Sequence, residues 1–359
     1  MSEPKLKKPN IIERTKLKIE HVKKMTAKDY YNFVMNNAIF FVLIFLLLVI
    51  ISISPDFVSI RNFKNILVQS STRVIFALGV GSIIVAKGTD LSLGRQVGLA
   101  AVVAASLLQA PDYAYRMYPN LPALPIFLPI VAVMLVTGFF SFLNGFVVAK
   151  LKVDPFIATL GMMVIVYGVT SIYFDRPPFG AQPVGGLDSR FTKFAQDSIH
   201  IGSFSIPYLI IYASIVIGVM WVLWNKTKFG KNIFAIGGNS EAAVVSGVNV
   251  VKNLLMVYTL AGLLYGLGGA LEAARIGSAT NNTGNMYELD AISACIVGGL
   301  SFAGGIGSIS GIVIGVLIFQ VIAYGLSFIG VNPYLQFIIK GLIIVVAVAI
   351  DNRKHLKKK

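Results

Sequence analysis

Two short polar segments interrupt long apolar stretches of the chain, at residues 87–95 and 281–293. They carry carboxylates, amides and a hydroxyl able to bind a polar solute or an ion: Asp90, Ser92, Asn281, Asn282, Glu288 and Asp290. Ionisable residues within membrane-spanning stretches are functional candidates by default. Irregular backbone is tolerated at that depth where protein or a water-filled cavity satisfies its polar groups. The two segments are therefore candidates for a solute pathway, and the alternative is that both are ordinary loops near the membrane surface.

Motifs of enzyme active sites do not occur in the sequence. It has no Gly-x-x-x-x-Gly-Lys-Ser/Thr phosphate loop, no His-Glu-x-x-His zinc motif, and no Gly-x-Ser-x-Gly or Cys-x-x-Cys. The three histidines, His21, His200 and His355, lie in hydrophilic segments, which argues against the imidazole relay of a proton-coupled carrier. The sequence predicts a chain with no catalytic residue, metal or cofactor, which passes a solute powered by another subunit or by an ion.

Composition indicates which elements must position the polar segments. Apolar residues make up 56% of the 359 residues and charged residues 13%, with a mean hydropathy of +0.77. A soluble domain carries about a quarter charged residues and could not hide so much apolar surface. The apolar runs are continuous rather than alternating, which excludes a β-barrel. We therefore expect an all-α polytopic protein of the cell membrane.

The distribution of charge explains the net charge of +15 without a nucleic-acid partner. Lys and Arg cluster beside apolar runs, with nine in residues 1–37, five in 351–359 and four in 225–252. This is the pattern of cytosolic segments in membrane proteins, and it also attracts anionic lipid. The sequence thus predicts a basic cytosolic lead (1–37), a transmembrane domain (38–350) with a cytosolic loop at 225–252, and a basic cytosolic tail (351–359).

Windows of about 19 residues predict ten spans with both termini in the cytosol. The spans lie near 38–54, 71–87, 93–110, 124–148, 154–174, 206–224, 252–274, 287–301, 306–329 and 335–350. One basic stretch does not fit, because Arg61, Lys64 and Arg73 would fall outside the cell. We expect these residues on an amphipathic helix along the membrane interface.

Glycines four residues apart recur in the apolar stretches, as in Gly94-x-x-x-Gly98 and Gly262-x-x-x-Gly266. This spacing places glycines on one helix face and lets two backbones approach closely in lipid. It predicts close packing between helices of the chain, and a seam between two copies is the alternative.

The cytosolic loop contains a pattern typical of a short helix. Gly238-Asn239-Ser240 is a turn in which Asn or Ser caps the helix, and Glu241 suits its positive end. Ala242 and Ala243 are strong helix formers, and Gly247 ends the helix or permits a close approach. The result is a helix with a small-residue face, shaped to fit a groove on another protein, or else a plain connector.

The pattern Glu241-Ala-Ala-x-x-x-Gly247 resembles the coupling motif of ABC importer permeases. Together with segments 88–94, 234–239 and 298–305, it is similar to the monosaccharide (ribose/galactose-type) branch, over residues 38–350. The resemblance implies a homodimeric pore without enzymatic activity of its own. It also implies an ATP-binding subunit on the cytosolic face and an extracytoplasmic galactose-binding protein that delivers the sugar.

On this resemblance the substrate is a monosaccharide of the galactose or methyl-galactoside type. Hexoses present hydroxyls, which the side chains of the two polar segments can bind as neutral donors and acceptors. The residues implied in coupling to the ATP-binding subunit are Gly238, Asn239, Glu241, Ala242, Ala243 and Gly247. The alternative is an ion-coupled sugar carrier without an ATPase partner, in which one carboxylate binds the ion and the Glu-Ala-Ala loop has no explanation.

Overall fold

The computed structural model describes residues 38–176, 180–202 and 204–356. The predicted lead (1–37) and the last three residues of the tail lie outside this part of the chain.

Helices form nearly all of the regular structure in the described residues. Their bounds are α1 Ala38–Ile53, α2 Ile60–Val85, α3 Leu93–Leu107, α4 Phe127–Ala149, α5 Pro155–Phe174, α6 Ser189–Gln196, α7 Tyr208–Lys226, α8 Lys228–Gly238, α9 Ser240–Val245, α10 Val250–Ile276, α11 Tyr287–Val297, α12 Ile309–Phe328 and α13 Pro333–Leu356. A 3-10 turn, Pro55–Phe57, links α1 to α2. Strands β1 Ser198–Ile201 and β2 Phe204–Pro207 pair antiparallel in a hairpin, with Ser198 opposite Pro207.

Six of these helices, α2, α4, α5, α7, α10 and α12, are long and apolar enough to cross a membrane. Helices α1, α3 and α13 contain shorter apolar stretches. Large apolar side chains on α4 and α5 point outward, among them Phe139, Val164 and Ile172, as expected for helices that face lipid. The all-α polytopic architecture is confirmed, while the count of ten spans and the side on which the termini lie stay predictions.

Helix α10 lies at the centre of the fold, against α2, α3 and α4. Its glycines allow close contact. A Cβ on Gly262 would overlap the Thr137 carbonyl of α4, and a Cβ on Gly269 would lie 2.5 Å from the Val97 carbonyl of α3. The Gly262-x-x-x-Gly266 face therefore packs within the chain, which confirms the first of the two interpretations for this pair.

The prediction of a separate interfacial helix for Arg61, Lys64 and Arg73 is wrong. All three belong to α2, a continuous helix of 26 residues that starts well before the predicted span at 71–87. The Ser59 side chain caps its first turn by accepting from the Asn62 backbone N–H at 3.3 Å. Arg73 is tolerated in the middle of this helix because its guanidinium lies 3.4 Å from the ring centre of Tyr287.

Two ends of the molecule can be distinguished. Helix α7 runs from the β-hairpin to α8, and its 19 residues span about 28 Å, close to the thickness of the hydrocarbon core. At the hairpin end, Asp188 caps α6 and binds the Arg190 side chain at 2.7 Å. This bond to Arg190 lowers the pKa of the Asp188 carboxyl below its ordinary value. The hairpin and the helix pair α8–α9 thus lie at opposite ends of the spans.

Candidate coupling surface and polar segments

Helix α9 forms as the sequence predicts. The Asn239 side chain accepts from the Ala242 backbone N–H at 3.0 Å, and Glu241 lies in the first turn, where a carboxylate favours the helix dipole. Gly247, at φ +80°, follows the last turn. The N–H groups of Gly247 and Val248 return to carbonyls of that turn at 2.9 and 3.0 Å, which gives the helix a Schellman end.

The exposed face of α9 differs from the predicted small-residue face. Ala243 is 3% exposed and faces the chain's own helices, so it is not a surface residue. Glu241 and Ala242 are exposed, and beside them Val244 and Val245 are 58% and 89% exposed. A pair of exposed valines at the end of a membrane protein is apolar surface that a partner can bury. We call Glu241, Ala242, Val244 and Val245 the docking face.

The end of α8 is joined to two other segments through a contact that we call the glycine joint. A Cβ on Gly237 would overlap the Val85 carbonyl at the end of α2 and lie 2.5 Å from the Gly305 nitrogen. The Gly305 N–H donates to the same Val85 carbonyl at 2.8 Å. Gly304 and Gly305 have φ of +81° and +71°, and a Cβ on Gly304 would lie 2.8 Å from Lys87 Cβ. Backbones at the joint touch directly, so a displacement of α8 acts on both neighbours.

The first polar segment, which follows directly after the joint, forms a buried network. Asp90 Oδ1 accepts from the backbone N–H and the hydroxyl of Ser92, at 2.9 and 2.5 Å. Ser92 Oγ accepts from Gln96 and Asn144 at 2.8 and 3.0 Å, and Ser141 donates to Gln96 at 2.9 Å. These side chains are all buried. Asp90 and Ser92 thus tie α3 to α4 inside the chain and do not lie on an open surface in this conformation.

Three polar atoms around this network are left over. Asp90 Oδ2, Asn144 Oδ1 and the Tyr265 hydroxyl are buried and make no hydrogen bond of ordinary length among the described residues, although the Tyr265 hydroxyl lies close enough to Asp90 to interact with its carboxylate. Buried polar atoms are satisfied in the great majority of cases, and exceptions point to strain, to an unseen water or to function. The network therefore keeps hydrogen-bonding capacity at the place where the sequence predicted a pathway.

The second polar segment packs onto the first. Gly284 lies so close to Gly94 that a Cβ on either glycine would overlap the carbonyl oxygen of the other. The Asn285 side chain accepts from Arg95 at 2.8 Å, and the buried Glu288 carboxylate lies against Gly94. Two segments almost 200 residues apart in the chain thus meet between α3 and α11, which the sequence did not predict.

The remaining candidates are spread more widely. Asn281 makes a long contact of 3.5 Å with the Ser171 hydroxyl of α5, and Asn282 is exposed. Asp290 faces α2 and α13, where it accepts from Lys340 at 2.9 Å. Of the six candidates, the structure therefore places Glu288 beside the first segment and Asp290 on another side of α11.

Comparison with known proteins identifies the class of protein. The family model described as branched-chain amino acid transport system / permease component matches residues 62–348. The chain belongs to this permease family. No solved structure matches it. With several helices able to span a membrane, the permease is a multi-pass membrane protein.

Relatives cover almost the whole permease. The galactose/methyl galactoside import permease protein MglC of Escherichia coli (strain K12) is 56% identical over 93% of this chain and 99% of that protein. The MglC protein of Haemophilus influenzae is 54% identical over 92% of this chain and 97% of its own. The ribose import permease protein RbsC of Escherichia coli (strain K12) is 36% identical over 87% of this chain and 92% of its own.

An ionic cluster near the hairpin end of the permease was not predicted from the sequence. The fully buried Glu272 accepts from Arg275 at 2.9 and 3.1 Å, from Thr72 at 2.7 Å and from the Tyr287 hydroxyl at 3.0 Å. The guanidinium of Arg73, which belongs to α2, lies over the Tyr287 ring. A charged residue inside an apolar stretch was the available signal, but Glu272 and Arg275 lie at the edge of their predicted span.

Proposed function

We propose that this chain is the transmembrane subunit of an ATP-driven ABC importer for galactose- or methyl-galactoside-type monosaccharides. It acts together with an ATP-binding subunit, an extracytoplasmic galactose-binding protein and a second copy of itself. Relatives at 54 and 56% identity over nearly the full length, both import permeases by name, support this over an ion-coupled carrier. The docking face and the glycine joint are the structural observation that carries the coupling role.

The joint offers a route from the docking face to the polar segments. A partner that moves α9 also moves α8, because the two helices are consecutive and only Asn239 separates them. The end of α8 presses on Val85 and Gly305 without an intervening side chain. Val85 leads within five residues to Asp90, and Gly305 lies between α11 and α12. Movement at one membrane face therefore reaches both sides of the proposed pathway.

The described helices support ten crossings with both termini in the cytosol. Helix α11 has 11 residues and a length of about 16 Å, too short to cross the hydrocarbon core of about 30 Å alone. It starts beside Glu272 near the hairpin end, and the irregular segment after it reaches Gly237 near the α8–α9 end. Helix and segment together thus make one discontinuous crossing, an arrangement typical of transport sites.

Adjacent alanines test the docking face. Ala242→Glu adds a charge to the exposed face and should abolish binding of the ATP-binding subunit while the permease still folds. Ala243→Glu should destabilise the permease itself, because it buries an unpaired charge. Co-purification of the ATP-binding subunit and thermal melting of the isolated permease distinguish the two effects. Normal co-purification and uptake by Ala242→Glu would remove α9 from the interface.

Reconstitution tests the function as a whole. In proteoliposomes, the permease alone should not accumulate galactose under an imposed proton or sodium gradient. Accumulation should require the ATP-binding subunit, ATP and the galactose-binding protein. Gradient-driven accumulation by the permease alone would instead establish the ion-coupled carrier.

A further inference from the structure

A polar recess opens at the hairpin end of the permease, between the first turns of α2, the hairpin and the end of α10. We call it the hairpin recess; its polar lining consists of Lys64, Asn65, Gln69, Gln196, Ser198 and Arg275. We propose that the hairpin recess is a binding site for a neutral monosaccharide on its way into the permease. This inference rests on the proposed function, which supplies the direction of entry and the substrate class.

Position and size suit an entry site. Asn65 lies 20 residues before Val85 on α2, which places the recess about 30 Å from the glycine joint, at the opposite membrane face. The cavity has a volume of about 280 Å³. Pockets for drug-sized ligands measure about 300–1,000 Å³, so this recess fits one sugar ring better than a longer saccharide.

Three amide side chains in the recess form hydrogen bonds at one end, and the other end has no partner among the described residues. Asn65 Nδ2 donates to Tyr324 at 3.1 Å, which leaves its oxygen unused. Gln196 Nε2 donates to the last carbonyls of α10 at 3.1 and 3.2 Å, which likewise leaves its oxygen unused. The Gln69 side-chain oxygen accepts from Gln320 at 2.8 Å, which leaves the Gln69 amino group available as a donor. The recess thus offers two acceptors, on the exposed side chains of Asn65 and Gln196, and one donor, on the half-buried Gln69, to sugar hydroxyls.

Among the described residues, the recess contains one positive charge that no carboxylate pairs, that of Lys64. Arg275 is bound in two contacts to Glu272, at 2.9 and 3.1 Å, so its guanidinium is already neutralised. Lys64 donates to the Ser205 hydroxyl at 2.6 Å. The donors that Lys64 has left for a ligand can bind a sugar hydroxyl as well as an anion, which the comparison with galacturonate distinguishes. The apolar surface of Val68, Ala195 and Pro207 completes the lining and suits the C–H face of a sugar.

Neighbouring positions on β1 provide a test with a matched control. Ser198 lines the recess, whereas the next residue, Ile199, points to the other side of the strand and is 42% exposed. Ser198→Trp should fill the cavity, and Ile199→Trp should leave it open. The complex of permease and ATP-binding subunit in lipid nanodiscs, without the sugar-binding protein, is titrated with galactose and followed by saturation-transfer NMR.

We expect saturation transfer to galactose in the wild-type complex and in Ile199→Trp, and its loss in Ser198→Trp. Gln196→Leu removes one acceptor and should weaken binding about fivefold, the equivalent of one hydrogen bond. Galacturonate, which carries a carboxylate, should bind no better than galactose.

Three results would overturn the proposal: no transfer in the wild type, equal transfer in Ser198→Trp, or preferential binding of galacturonate. Uptake of galactose by the complete wild-type system, measured in parallel, separates this proposal from the proposed function. Uptake without binding in the recess rejects the recess alone, and absence of ATP-dependent uptake rejects the importer.

Discussion

Gly237→Ala should uncouple ATP hydrolysis from sugar uptake, whereas Gly238→Ala should leave both close to wild type. The two glycines are neighbours at the end of α8, and each substitution adds one methyl group. A methyl group on Gly237 has no room, because it would overlap the Val85 carbonyl and press on the Gly305 nitrogen. A methyl group on Gly238 meets nothing within 4 Å. The first substitution therefore separates backbones that must touch, and the second does not.

The measurement is the ratio of galactose taken up to ATP hydrolysed, in proteoliposomes that contain the complete transporter. Gly237→Ala should lower this ratio at least tenfold while the ATP-binding subunit still co-purifies, since the docking face on α9 is unchanged. A protein that merely misfolds would lose co-purification as well. If Gly237→Ala keeps the wild-type ratio, or if Gly238→Ala loses it equally, the glycine joint does not transmit the movement.

Helix α9 was predictable because its signals are local. Asn239 as cap, Glu241 in the first turn and Gly247 at the end each act on residues at most four or five positions away. The inward orientation of Ala243 was not predictable, since it depends on how α9 packs against α8 and α10. The outward valines follow from the same packing, and a helix of six residues is too short for its periodicity to indicate a buried face.

The contacts of the two polar segments were likewise not predictable, because they join residues that are far apart in the sequence. Their positions were evident as interruptions in apolar sequence, but the contact of Gly94 with Gly284 depends on the packing of α3 against α11. Arg73 was assigned to the membrane interface because, together with Arg61 and Lys64, it would fall outside the cell. Its partners, Tyr287 and Asp290, lie more than 200 residues later, and only the tertiary structure brings them to α2.

Glu272→Gln should destabilise the permease strongly, by about 3–5 kcal/mol, the usual cost of removing one partner of a buried ion pair. The Glu272 carboxylate accepts four hydrogen bonds, two of them from Arg275. An amide has the same volume but no charge, so the Arg275 guanidinium would be left without a counterion in a mostly buried position. The change should appear as a large fall in the melting temperature of the purified permease.

Asp188→Asn provides the matched control, because it makes the same carboxylate-to-amide change next to an arginine at the surface. Arg190 is exposed, and an amide can still cap α6, so this variant should melt close to wild type. The double variant Glu272→Gln with Arg275→Gln should recover part of the lost stability, since it removes both charges of the pair. If the double variant is as unstable as Glu272→Gln alone, the loss comes from the bonds to Thr72 and Tyr287 and not from the uncompensated charge. If Asp188→Asn and Glu272→Gln melt alike, burial of the Glu272 pair has no special role in holding α10, α2 and α11 together.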